Sequence, residues 1–147
     1  MSNAIKELQT LHLQQQQSKY PNYPKGYFVT PTFDTKTANG LTKAIVNYID
    51  LKGGCATRIN VSGVYDQKLK KYRYGTTKKG FSDIQATYNG KALYVEVKIG
   101  KDKQSDYQKE FQKQITYSGG YYFIAKDFES FVYWFKETVI KKGVANG

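Results

Sequence analysis

The chain has 147 residues, an apolar content of 39% that suits one packed domain, and a formal charge of +11 from 23 basic and 12 acidic side chains. With no run of eighteen apolar residues and no apolar centre of a signal peptide, neither a membrane span nor secretion is expected. Cys55 is the only cysteine, which excludes an intramolecular disulfide and a zinc–cysteine cluster and suits a reducing cytoplasm, while the basic balance and 14 tyrosines favour a polyanionic partner.

Residues 4–19 read as a helix with Ile5, Leu8, Leu11 and His12 on one stripe, and Gln14 to Gln17 as its solvated end. Tyr20-Pro21-Asn22-Tyr23-Pro24 breaks it. Tyr27-Phe28-Val29 then forms a short edge strand or an extended arm ending at Pro31. Lys19, Lys25 and Lys36 leave three uses open for this arm: wrapping the core, touching nucleic acid, or crossing to a second subunit. Residues 1–36 are thus a helix and arm, and 37–147 the main domain.

Thr37 or Asn39 can cap a second helix, whose Leu41, Ala44, Ile45, Tyr48 and Ile49 follow a core-facing period up to Gly53-Gly54. A strand is expected over 55–61, opened by Cys55 as a small core residue, with Arg58 and Asn60 on one face and Ile59 and Val61 on the other. Between Gly63 and Gly80 stand Lys68, Lys70, Lys71, Arg73, Lys78 and Lys79 against the lone acid Asp66, interleaved with Tyr65, Tyr72 and Tyr74. The alternation of Lys71-Tyr72-Arg73-Tyr74 suits a hairpin flap. Its place between two sheet strands favours substrate contact over a solvated loop.

The stretch from Gly80 to Lys98 organises the rest. Phe81 to Tyr88 and Leu93 to Lys98 read as two strands joined by Asn89-Gly90, a strong two-residue turn. Leu93, Val95 and Val97 share one face; Tyr94, Glu96 and Lys98 share the other. The antiparallel register about the turn sets Asp83 opposite Glu96, where two carboxylates repel unless a cation, Lys98 or a divalent metal, lies between them. A loop carrying Lys101 and Lys103 follows. Ser105 and Gln108 form a capping-box pattern at the head of a third helix with Tyr107, Phe111 and Ile115 as its buried stripe. Gly119-Gly120 ends it, Tyr121 to Ala125 reads as a buried strand, and Asp127 caps a last helix. That helix is striped by Phe128, Phe131, Val132, Phe135 and Val139, has Trp134 partly exposed, and stops at Gly143.

Ser82-Asp83, followed after a gap by Glu96-Val97-Lys98, resembles the bipartite signature of PD-(D/E)XK nucleases. Arg58-Ile59-Asn60 with Gly63, Gln108 ahead of Phe111, and Gly119-Gly120 narrow the likeness to VRR-NUC-like members over roughly residues 37–135. The resemblance implies an α/β (α+β) fold with a restriction-endonuclease-like core: αβββαβ plus a C-terminal helix, its central mixed sheet flanked by helices. It implies that Asp83, Glu96 and the Val97 carbonyl bind Mg2+ or Mn2+, that Lys98 positions or activates the attacking water, and that Gln108 assists. For Gln108 the capping box remains the alternative. VRR-NUC relatives often carry a first-helix Glu at the metal; residues 37–52 contain none, and Asn47 is the candidate substitute.

The expectation is a divalent-dependent DNA endonuclease, selective for branched, flap or otherwise structured DNA in phage or bacterial replication, recombination or repair. It would act in the cytoplasm, as a homodimer if symmetric junctions are cut twice. Arg58, Asn60, Lys68, Lys70, Lys71, Tyr72, Arg73, Lys78, Lys79, Lys101 and Lys103 are the candidate DNA contacts. Two alternatives are a nucleic-acid-binding module that keeps the fold without the activity, and a basic structural protein of a nucleoprotein particle.

Overall fold

The computed structural model describes residues 1–59, 64–73 and 78–141, with the backbone alone at Val64 and Arg73. The fold is a mixed α/β one built on a four-stranded sheet. In chain order it comprises α1 (Asn3–Lys19), α2 (Ala38–Leu51), β1 (Cys55–Arg58), a hairpin of β2 (Val64–Asp66) and β3 (Lys71–Arg73), β4 (Ile84–Tyr88), β5 (Lys91–Val97), α3 (Asp106–Tyr117), β6 (Tyr121–Ala125) and α4 (Phe128–Trp134). The last helix continues as a π-helix over Phe135–Lys141. None of the described helices is long and apolar enough to cross a membrane.

The sheet order is β1-β4-β5-β6, antiparallel except for the parallel β5–β6 pair. Asn89 and Gly90 both have positive φ, 46° and 77°, as a two-residue hairpin turn requires. That turn fixes Ile84 opposite Val95, so the residues just beyond, Asp83 and Glu96, face one another as the register predicts.

One face carries Ile84, Ala86, Leu93, Val95 and Val97 and is covered by α1, α2 and α4 in a single apolar core. Tyr48 sits at its centre, edge-on to Phe128, Phe131 and Phe135, with its hydroxyl donating to Glu7 at 3.1 Å. The helix caps follow the sequence: Thr37, Ser105 and Asp127 each accept a backbone N–H of the first turn.

Several expectations need correction. Of the two readings of Tyr27 to Val29, the extended arm holds and the edge strand does not: a 3-10 turn over Lys25–Tyr27 leads into extended chain. Cys55 is exposed, because it faces away from α2 on an edge strand that α3 does not cover. Tyr107 is 60% exposed, and only Phe111 of its stripe is fully buried. Asn60, Val61, Gly63, Tyr74, Gly143 and the Arg73 side chain lie outside what is described.

Candidate active site

The second face of the sheet carries Tyr94 and Glu96 on β5 and, in register beside them, Tyr122 and Ile124 on β6. α3 covers it. Phe111 packs against Phe81, Tyr94 and Tyr122, with ring centroids 4.7, 5.7 and 6.4 Å apart, and makes an aromatic floor. Four polar side chains converge at the Glu96 end of this layer.

Asp83 is held just before β4 from two sides. Its carbonyl accepts from Ile59 N at 2.7 Å, and its Oδ2 accepts from Val97 N at 2.8 Å. Glu96 is 2% exposed and Lys98 8%. The Lys98 ammonium lies 3.6 Å from Glu96 Oε1 and 3.6 Å from Asp102 Oδ2. Gln108 Nε2 donates to Glu96 Oε1 at 2.7 Å, while Gln108 Oε1 accepts from Ser105 N at 2.9 Å and the Ser105 hydroxyl accepts from Gln108 N at 3.2 Å. The capping box at Gln108 is formed, and the same amide closes the box with its oxygen and reaches the Glu96 carboxylate with its nitrogen.

Glu96 Oε2 is buried without a hydrogen-bond partner. Burial, then the negative charge of the neighbouring Asp83, pushes the Glu96 carboxyl up to about 8, with Lys98 opposing. Such an oxygen wants a proton or a cation. The hard oxygen donors of Asp83 and Glu96 suit Mg2+ or Mn2+, which accept few protein ligands and keep several waters. Among the described residues no cluster of three or more His, Cys, Asp and Glu side chains is assembled. α2 brings no carboxylate: Asp50 accepts from Ala56 N at 2.8 Å, and Asn47 lines a separate cavity of about 290 Å3 with Thr42, Lys43, Val46 and Arg58.

Three residues of the layer carry no sequence signal. Gln104 Nε2 donates to Gln112 Oε1 at 3.0 Å and to the Tyr122 hydroxyl at 3.3 Å. Burial pushes the Tyr122 phenol up to about 12, the Gln104 hydrogen bond opposes, and the charges of Glu96 and Asp83 add to the rise.

The candidate DNA contacts are placed as follows. β2 and β3 pair as the expected flap, with Tyr65 opposite Tyr72 and their rings 5.4 Å apart. Lys68, Lys70, Lys71 and Tyr72 on it are exposed, as are Lys78, Lys79, Lys101 and Lys103. Arg58 donates to Asn39 of α2. No family model matches the chain, and no curated protein and no solved structure matches it.

Proposed function

We propose that the chain is a divalent-dependent DNA endonuclease with a PD-(D/E)XK-type core. The observation that carries the reading is the convergence of Asp83, Glu96, Lys98 and Gln108 at one end of a sheet face, with Glu96 Oε2 buried and unpartnered. The order α2, β1, β4, β5, α3, β6 and α4 supports the core assignment. Asp83, Glu96 and the Val97 carbonyl would hold the ion. When bound, Mg2+ or Mn2+ polarises a phosphoryl oxygen and makes water a better nucleophile. The chain's own residues do the rest. Lys98 places a positive charge where negative charge grows in the transition state. Gln108 fixes the Glu96 carboxylate, and Asp102 holds Lys98 from its far side. The exposed lysines of the β2–β3 flap would track phosphates.

The test is cleavage of labelled flap, fork, junction, duplex and single-stranded DNAs with Mg2+ or Mn2+. Asp83→Asn and Glu96→Gln should each lower the rate at least about 100-fold, the scale of losing one positioned electrostatic group. Full activity in either variant rules the assignment out. The preference for branched DNA, the homodimer and a phage or bacterial repair role belong to this reading and are tested by the same panel and by sedimentation.

α2 has no Glu, and its one carboxylate, Asp50, accepts from Ala56 N instead, which favours a second reading, a DNA-binding module without turnover. It holds if the chain binds the DNAs tightly and cuts none with either ion.

A further inference from the structure

We propose that residues 16–28 form a second nucleic-acid site, in which Tyr20 and Tyr23 stack the bases of unpaired DNA. This rests on the endonuclease reading only for the choice of DNA over RNA. The segment leaves α1, which lies on the sheet face opposite α3, and is not part of the carboxylate site.

Two cavities adjoin here, and Tyr20 and Tyr23 line both. One, of about 300 Å3, is completed by Gln16 and Phe28. The other, of about 390 Å3, is completed by Lys19, Pro21 and Asn22. Tyr20, Tyr23 and Tyr27 are 49%, 54% and 70% exposed. Tyr23 contacts Tyr27 and Phe28 edge-on, with centroids 5.8 and 5.4 Å apart, so the rings support one another rather than entering the core. The segment is anchored on either side of its tyrosines: Tyr20 N closes the last turn of α1 on Gln16 O at 2.9 Å, and three residues past Phe28 the Pro31 carbonyl accepts from Gln9 Nε2 at 2.9 Å. A surface already ordered loses little entropy when a ligand binds.

Charge selects the occupant. No acidic residue lies between Glu7 and Asp34, while Lys19 and Lys25 do. The Lys19 ammonium sits over one face of the Tyr20 ring, 5.5 Å from its centroid. That pairing matches a nucleotide, whose base offers a π-face and whose phosphate a negative charge. A duplex hides its base faces, so the rings discriminate in favour of unpaired strands. A second copy of the chain is a poor occupant, because each copy carries +11 and the arm offers it no acid.

The experiment uses the full chain in EDTA, where divalent-dependent cleavage cannot run, so the result does not depend on the Asp83–Glu96 site being active. Anisotropy gives the affinity for a labelled deoxythymidine decamer, the matched uridine decamer and a duplex of equal length. Tyr20→Ala with Tyr23→Ala should weaken decamer binding at least about tenfold and duplex binding by less than about twofold, given the usual worth of base–aromatic stacking. Tyr20→Phe with Tyr23→Phe keeps the rings and should keep the affinity. An equal loss on duplex and decamer, an unchanged decamer affinity, or binding of the uridine decamer alone overturns the proposal. So does a change confined to self-association in sedimentation. Should the alanine variant not fold, photocross-linking of the native chain to a bromouracil decamer decides. Adducts within residues 16–28 support the site, and adducts confined to the β2–β3 flap overturn it.

Discussion

Glu96 is under opposed demands. Its burial and the neighbouring Asp83 disfavour its charge, while the Lys98 ammonium and the Gln108 amide N–H favour it. Without a divalent ion the carboxyl is raised from 4.5 to about 8, so in the folded chain it keeps a proton that the unfolded chain has released. The stability this proton contributes is therefore fully present below about 4.5 and is lost as pH rises through about 8. Melting temperatures in EDTA across pH 5 to 9 should fall for the native chain relative to Glu96→Gln, which cannot titrate. Parallel curves for the two proteins would mean that Glu96 is ionised throughout. The same residue shows what was legible at this scale. Asp83 opposite Glu96 follows from one turn, since Asn89-Gly90 fixes the register and alternation fixes the face. Gln104, Gln112 and Tyr122 were not legible, because their contacts join segments that no local period relates, and Asp102, only four residues from Lys98, lies on a loop that no helix or strand period governs.

At the scale of elements, the site depends on where α3 begins. Gly80 has φ +76°, and a Cβ there would lie 2.2 Å from the Tyr107 carbonyl oxygen and 2.8 Å from Gln108 N. The chain entering β4 thus packs directly on the turn that presents Gln108 to Glu96. This also explains why Tyr107 leaves the buried stripe that its spacing suggests: the Gly80 backbone lies against the Tyr107 main chain, and the Lys79 ammonium lies 5.2 Å from its ring. Gly90 is the natural control, with φ +77° and nothing within 4 Å of the point where a Cβ would stand. Gly90→Ala should cost only backbone strain, about 1–3 kcal/mol in urea unfolding. Gly80→Ala should cost that and more, and should also slow single-turnover cleavage by displacing Gln108. Equal stability losses, with no change in rate, would separate the start of α3 from the chemistry. The capping box of Gln108 was legible, but not that the same side chain would also bond Glu96. A capping box is a local pattern, and the reach to Glu96 appears only once α3 is laid across β5.

Taken whole, the molecule is a strongly basic chain whose cations are unevenly used. Lys52 and Lys136 pair with Glu7, Lys141 pairs with Glu137, and Lys98 belongs to the carboxylate site. The lysines of the β2–β3 flap are exposed beside a tyrosine pair, and in sequence the flap lies between Ile59, whose N–H holds the Asp83 carbonyl, and Lys78. If Lys68, Lys70 and Lys71 each neutralise a phosphate, each releases condensed counterions on binding. The slope of log K against log salt is then steeper by about 0.9 per contact on duplex DNA. Replacing all three by Ala should make the slope shallower by up to about 2.7, and by the same amount on unrelated duplex sequences, since phosphates carry no base information. Tyr72 should behave differently: its loss should leave the slope alone and weaken unpaired strands more than duplexes. Titrations in Ca2+, which should fill the carboxylate site without supporting turnover, keep binding apart from cleavage. An unchanged slope in the triple variant would make the flap an idle surface and move the duplex track to Lys101 and Lys103, on the loop that leads from Lys98 to α3.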